Sequence, residues 1–326
     1  MTTTIPARPP FDPELAAALA VINENLPPAF TAEMLPALRE GMAERRATGE
    51  ELSLGGAFVV EERLVPGPAG APDISLVIAR PAAAKTPVGV LYTIHGGGMI
   101  LGHNRSQELP ELLGWARELE LAVVSVDYRL APEHPHPAPV EDCYAGLVWV
   151  VENAAELGLD PERVVIVGGS AGGGLAASTV LLARDRGGPA LAGQMLLCPM
   201  IDDRNDTPSA HQMVGVGVWD QASNELGWTS LLGDARGGPD VSPYAAAARA
   251  TDLSGLPPAF LDVGSAETFR DEVVTYASRL WQAGGQAELH VWPGGFHGFD
   301  MLASHAALSQ AAKAQRLPWL RRLLGS

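Results

Sequence analysis

Ser170 stands in "GGSAGGG" (168–174), directly after the apolar run "VVIV". A strand that breaks into glycines before a small-residue helix suits two chemistries. Its backbone amides can cradle a phosphate, or its turn can hold the serine up as a nucleophile. A dinucleotide loop needs Gly-x-Gly-x-x-Gly right after its strand, so that pyrophosphate can approach the backbone. Here those positions read Gly168, Ser170 and Gly173, with serine where the second glycine is required. A P-loop needs Gly-Lys-Ser/Thr, and 164–186 contains no lysine. The phosphate reading fails, and with it the expectation of a nucleotide cofactor.

Gly168, Ser170 and Gly172 do satisfy Gly-x-Ser-x-Gly. A serine on a sharp strand-to-helix turn adopts strained dihedrals, and the positions two before and two after it must be small to avoid collision. Upstream, "HGGG" (95–98) follows the run "VLYTI". Acyl transfer places negative charge on a former carbonyl oxygen, and backbone amides aimed at that oxygen supply several kcal/mol, about 3–4 per donor in studied cases. Glycines let such a loop turn its amides inward. The two motifs together predict nucleophilic acyl transfer.

Positioning them requires an α/β core. Strand-like runs occur at 56–65, 73–80, 88–94, 121–127, 163–168, 194–198, 259–263 and 287–292. From the third run onward, helical patterns at 106–119, 138–156, 171–186, 268–283 and 304–324 separate them, as in βαβ units feeding a parallel sheet. The first two runs read as a meander. Helical spacing at 11–24 and 31–46, with a kink or start at Pro36, precedes the core, and 205–240 reads as an insertion. We therefore expect residues 1–50 to form an N-terminal helical cap segment and 51–326 a catalytic core, with 205–240 completing the cap.

The formal charge of −16 over 326 residues disfavours nucleic acid, anionic membrane surfaces and polyanionic substrates. Two cysteines, Cys143 and Cys198, cannot make a disulfide framework and fit a reducing cytoplasm. "MTTTIPARPP" lacks the basic and apolar regions of a signal peptide, and no apolar stretch is long enough to span a bilayer. A cytoplasmic location is expected.

Five stretches carry a family resemblance: HGGG, "DYRLAPEHPHPAPVEDCYAGLVWV" (127–150), "GGSAGGG", "LSGLPPAFLDVGSAETFRDE" (253–272) and "PGGFHGF" (293–299). Together they resemble the hormone-sensitive-lipase-like family of α/β-hydrolase carboxylesterases. "RATDLSGLPP" (249–258) and "SAGGGLAA" (170–177) are most similar to its bacterial heroin-esterase-like members. The resemblance implies an α/β-hydrolase fold with an eight-stranded, mostly parallel sheet flanked by helices, a helical cap and no cofactor. It implies a serine esterase acting on a small-molecule ester with a short acyl chain, acetyl esters of aromatic or bulky alcohols included. It also allows a homodimer.

Residue by residue, the resemblance makes Ser170 the nucleophile and His297, in Phe-His-Gly-Phe, the general base. The family places an aspartate at the head of Asp-x-Leu-Arg-Asp-Glu. Here Glu267 holds that position, with Asp262 and Asp271 as competing carboxylates. Gly97, Gly98 and Ala171 would supply the oxyanion amides, and His95 would brace their loop. Of the remaining histidines, His134 and His136 form a His-x-His between prolines with no converging ligands, so no metal is expected. Trp219, Met213 and Phe11, with Trp228 and Leu15, are candidates for a substrate pocket, or else pack the cap onto the core. A non-catalytic ligand receptor and a peptidase or amidase are the competing uses of the same fold.

Overall fold

The computed structural model describes residues 7–27 and 29–325. Residues 1–6 of the expected cap segment, and Ser326, lie outside the described residues. Eight strands form one sheet: β1 (Phe58–Val65), β2 (Ile74–Pro81), β3 (Val88–Ile94), β4 (Ala122–Asp127), β5 (Leu159–Gly169), β6 (Gly193–Leu197), β7 (Ala259–Gly264) and β8 (Ala287–Trp292). Their order is β1-β2-β4-β3-β5-β6-β7-β8, and β2 runs antiparallel to both its neighbours. From β4 across to β8 every pairing is parallel. The expected eight-stranded, mostly parallel sheet is therefore borne out.

Among the described residues, twelve α-helices accompany the sheet. Before it come α1 (Pro13–Asn23), α2 (Leu35–Ala43) and α3 (Gly49–Ser53). Between strands lie α4 (Leu109–Leu119), α5 (Ala138–Glu152), α6 (Ala154–Leu157), α7 (Ala171–Arg186), α8 (Pro208–Gln212), α9 (Gln221–Leu232) and α10 (Arg270–Gln282). Helices α11 (Phe299–Leu302) and α12 (Ala307–Leu324) follow β8. The pattern at 31–46 resolves into a short 3₁₀ turn and then α2, with Pro36 in its first turn, where its missing N–H costs nothing. Helix α3 was not anticipated, although its signature is in the sequence. Thr48 accepts from the Glu51 amide while Glu51 accepts from the Thr48 amide at 2.7 Å, a reciprocal capping box.

Strand residues alternate faces with period two. Val90, Tyr92, Ile94, Val124, Val126 and Ile166 join one apolar core with α5, α7 and α10. Leu91, Val123, Val165, Val167 and Phe260 join the other, with α4 and Trp319 and Leu320 of α12. Every residue of β3 is buried, as a central strand covered on both faces must be. The chain leaves β3 to build β4 on one side and then β5 on the other. The carboxyl ends of β3 and β5 thus flank the switch point where open α/β sheets leave a crevice.

The N-terminal segment and the 205–240 insertion touch each other. The Phe30 amide donates to Ser223 Oγ at 3.0 Å, and the Phe30 and Trp219 rings lie 5.7 Å apart. Gln212 Nε2 donates to the Ala7 carbonyl at 2.8 Å. Leu15 and Leu19 of α1 pack on Phe296 and Phe299, on either side of His297.

Candidate active site

Ser170 joins β5 to α7 with φ 55° and ψ −124°, a conformation that costs a non-glycine residue about 1–3 kcal/mol. Three backbone bonds hold it. Its amide donates to Leu197 O at 2.8 Å, and its carbonyl accepts from Met200 N at 2.9 Å and Gly174 N at 3.0 Å. The flanking glycines have no room for more. A Cβ on Gly168 would lie 2.2 Å from the Gly172 carbonyl oxygen, and one on Gly172 would lie 2.0 Å from that of Ile94. The steric cause read from Gly-x-Ser-x-Gly is thus realised atom by atom.

His297 and Glu267 converge on this turn. His297 Nε2 lies 2.9 Å from Ser170 Oγ, and Nδ1 lies 3.2 Å from Glu267 Oε1. Glu267 Oε2 accepts the Gly264 amide at 3.2 Å. Glu267 is 1 % exposed and the His297 side chain 11 %, so of the pair the imidazole is the more accessible. The competing carboxylates are engaged elsewhere. Asp262 binds Arg316 at 2.9 Å, and Asp271 accepts from Ser209 N at 2.8 Å and from Arg270.

Gly96 brings the upstream loop onto the elbow: a Cβ there would lie 3.1 Å from Gly169 O and 3.5 Å from Ser170 Cβ. Gly97 and Gly98 both have positive φ, 111° and 62°. Among the described residues, no acceptor takes the amides of Gly97, Gly98 or Ala171, the last being the first residue of α7. Unpaired amides beside a helix N-terminus suit a developing anion.

His95 braces this loop. It stacks on Tyr128 with ring centroids 4.1 Å apart, and Tyr128 Oη donates to the His95 carbonyl at 3.0 Å. Burial pushes its pKa down to about 4, against the pull of its bond to Gly96 O. The ring is neutral at pH 7, so Nδ1–H donates to Gly96 O at 2.8 Å. The "YRLAP" segment continues the brace: Ala131 N donates to Met99 O at 3.0 Å, and Arg129 chelates Asp142.

Behind Ser170, His297 and Glu267 lies an ionic cluster that sequence reasoning missed. Arg316 of α12, 3 % exposed, binds Asp262 at 2.9 Å, Asp300 at 2.6 Å and Glu111 at 3.6 Å. Burial pushes Asp262 up to about 6 against the pull of Arg316. Burial, with Asp300 and Glu111 nearby, pushes Glu108 up to about 7. Glu108 Oε1 lies 3.7 Å from where a Gly96 Cβ would stand, under the oxyanion loop.

Of the pocket candidates, Trp219 comes nearest. A Cβ on Gly98 would lie 2.4 Å from its Cη2, so the indole closes one side of the glycine loop. Phe11 meets Phe296 edge-on at 6.3 Å, beside the base. Met213 is buried inside the insertion next to Gly217. Trp228 and Leu15 are fully buried and serve packing.

Strand order, elbow and glycine loop define an α/β hydrolase, and the chain belongs to that family, whose description as an alpha/beta hydrolase fold matches residues 91–301. Over its whole length it is similar to the carboxylesterase NlhH of Mycobacterium tuberculosis, 36% identical over 335 residues that cover 99% of each chain. The solved structure titled Bacterial Heroin Esterase is 43% identical, with a TM-score of 0.88 over 97% of this chain and 98% of that one. A stretch of human hormone-sensitive lipase is 39% identical over 104 residues, 32% of this chain and 10% of that one. The expected hormone-sensitive-lipase-like membership, with a heroin-esterase-like neighbour, is borne out. Among the described residues no helix is long and apolar enough to cross a membrane.

Proposed function

We propose that the protein is a serine carboxylesterase that hydrolyses small esters through an acyl-enzyme. The observation that carries this reading is the 2.9 Å contact between Ser170 Oγ and His297 Nε2, with Glu267 on the far nitrogen. His297 Nε2 takes the hydroxyl proton as Oγ attacks the ester carbonyl. Glu267 accepts the Nδ1–H, fixes the tautomer and stabilises the imidazolium. The oxyanion settles against the amides of Gly97, Gly98 and Ala171, each worth about 3–4 kcal/mol in comparable sites. His297 then returns the proton to the leaving alcohol. Water repeats the sequence on the acyl-enzyme and frees Ser170.

In this reading the N-terminal segment and residues 205–240 form a cap over the crevice. The Phe30–Trp219 and Gln212–Ala7 contacts support it. Trp219 against Gly98 leaves little depth beside the oxyanion loop, which favours short acyl chains, with acetyl the smallest. An intact base and three free amides argue against a non-catalytic receptor.

The test is release of p-nitrophenol from p-nitrophenyl acetate. A pre-steady-state burst of one equivalent supports the acyl-enzyme. Ser170→Ala with undiminished turnover and an unchanged melting temperature would overturn the assignment. A panel of p-nitrophenyl esters of rising chain length tests the acyl preference.

A further inference from the structure

Cys198 directly follows β6, beside Glu267 and His297. Its backbone is fixed at φ 38°, with its amide donating to Asp262 O at 2.7 Å. Its sulfur, a Glu267 carboxylate oxygen and a His297 ring nitrogen all lie within 4.8 Å of one another. Glu267 Oε1 sits 3.2 Å from Nδ1, the ring nitrogen that faces this carboxylate. Cys198 is half-buried.

From this geometry we infer that Cys198, Glu267 and His297 form a capture site for a thiophilic divalent cation such as Zn2+, and that its occupation switches the protein off. The donor set is mixed S, N and O, the combination zinc prefers over calcium or magnesium. Zinc bonds of roughly 2.0–2.3 Å in a tetrahedral arrangement need donors about 3.4–3.7 Å apart; Oε1 and Nδ1 already stand near that spacing, at 3.2 Å, and the sulfur has at most about 1 Å to close.

The proton balance explains the switch. On binding, the thiol releases its proton to solvent and the thiolate bonds to the metal. Zinc on Nδ1 displaces the proton there, and the neutral imidazole carries its one proton on Nε2. Nε2 then donates toward Ser170 Oγ instead of accepting from it. The base is lost in the same event that removes Glu267 from the imidazole. This inhibitory consequence rests on the esterase reading; the metal site does not.

The test titrates zinc chloride into the full-length Ser170→Ala protein, which requires no turnover. One equivalent of Zn2+ is expected, and Cys198→Ser added to that background should weaken it by about tenfold or more. Loading with Co2+ should give a thiolate-to-cobalt charge-transfer band that Cys198→Ser lacks. Melting temperatures establish that each variant is folded, and Glu267→Gln provides a second ligand deletion. Absence of binding, or equal affinity after Cys198→Ser, overturns the site. With Ser170 present, Zn2+ should abolish ester turnover, EDTA should restore it, and Mg2+ should do nothing. Full turnover with zinc bound overturns the switch. A protein that hydrolyses no ester but binds zinc through Cys198 refutes the esterase reading and leaves the site standing.

Discussion

Glu267 Oε1 lies 3.2 Å from His297 Nδ1 while Oε2 accepts the Gly264 amide at 3.2 Å, so one buried carboxylate ties the His297 imidazole to the end of β7. Glu267→Gln keeps the shape but lets the amide impose the wrong tautomer on His297. We expect kcat for p-nitrophenyl acetate to fall by about 10³–10⁴, the scale of the corresponding change in serine proteases. Glu267→Asp keeps the charge but withdraws the oxygen by one methylene, and should retain more activity than the glutamine variant. Equal rates for Glu267→Gln and the unsubstituted protein would remove Glu267 from the triad.

Gly98 and Trp219 are sterically coupled. A Cβ at Gly98 would stand 2.4 Å from Trp219 Cη2, on a backbone with φ 62° that already disfavours alanine. Gly98→Ala should cut kcat/KM by at least about 100-fold by displacing an oxyanion amide. Trp219→Ala alone should shift the chain-length optimum toward longer acyl groups. In the double variant Trp219→Ala should recover part of the loss, giving an interaction energy of about 1 kcal/mol or more. Strict additivity in the kinetic double-mutant cycle would mean that the indole does not bound the glycine loop.

Gly172→Ala tests the elbow as a structural device. The added methyl would meet Ile94 O at 2.0 Å and His95 O at 2.6 Å, both backbone atoms of the neighbouring strand end. Neither can retreat without moving β3. Destabilisation of about 3 kcal/mol or more is expected, at the upper end of overpacking costs. Urea denaturation followed by circular dichroism measures it, and an unchanged midpoint would contradict the close approach.

Glu108 makes stability depend on pH in a defined direction. Its folded-state pKa, pushed up to about 7 by burial first and by Asp300 and Glu111 next, exceeds the ordinary 4.5. The folded state therefore binds more protons than the unfolded chain between those values, and this group's contribution falls as pH rises through 7. Glu108→Gln should be more stable than the unsubstituted protein at pH 8, by on the order of 2–3 kcal/mol. The advantage should disappear as pH falls toward 4.5. Parallel stability curves for the two proteins across that range would refute the assignment.

The elbow and the glycine loop were legible because each is a local steric requirement written into consecutive residues. Glu267 was harder. Asp262 and Asp271 lie within five residues of it, and only the partners of those two, Arg316 and Ser209, decide against them. Those partners are 54 and 62 residues away, beyond any local pattern. The ionic cluster around Arg316 was invisible for the same reason. Strand β5 begins four residues before the expected 163, because Leu159 pairs with Val88 across a register shift that apolar periodicity does not record. Helix α3 was overlooked for a different reason: at five residues it is too short for periodicity, and its capping box was the available signal.

Arg316 carries one more implication. It clamps Asp300, three residues beyond His297, to Asp262 at the strand end behind Glu267, and it does so from α12. A nascent chain emerging from the ribosome completes its sheet at residue 292, yet gains this clamp only once residue 316 is free to dock. The segment that carries His297 is therefore locked to the sheet only when α12 docks onto strands that are already in place.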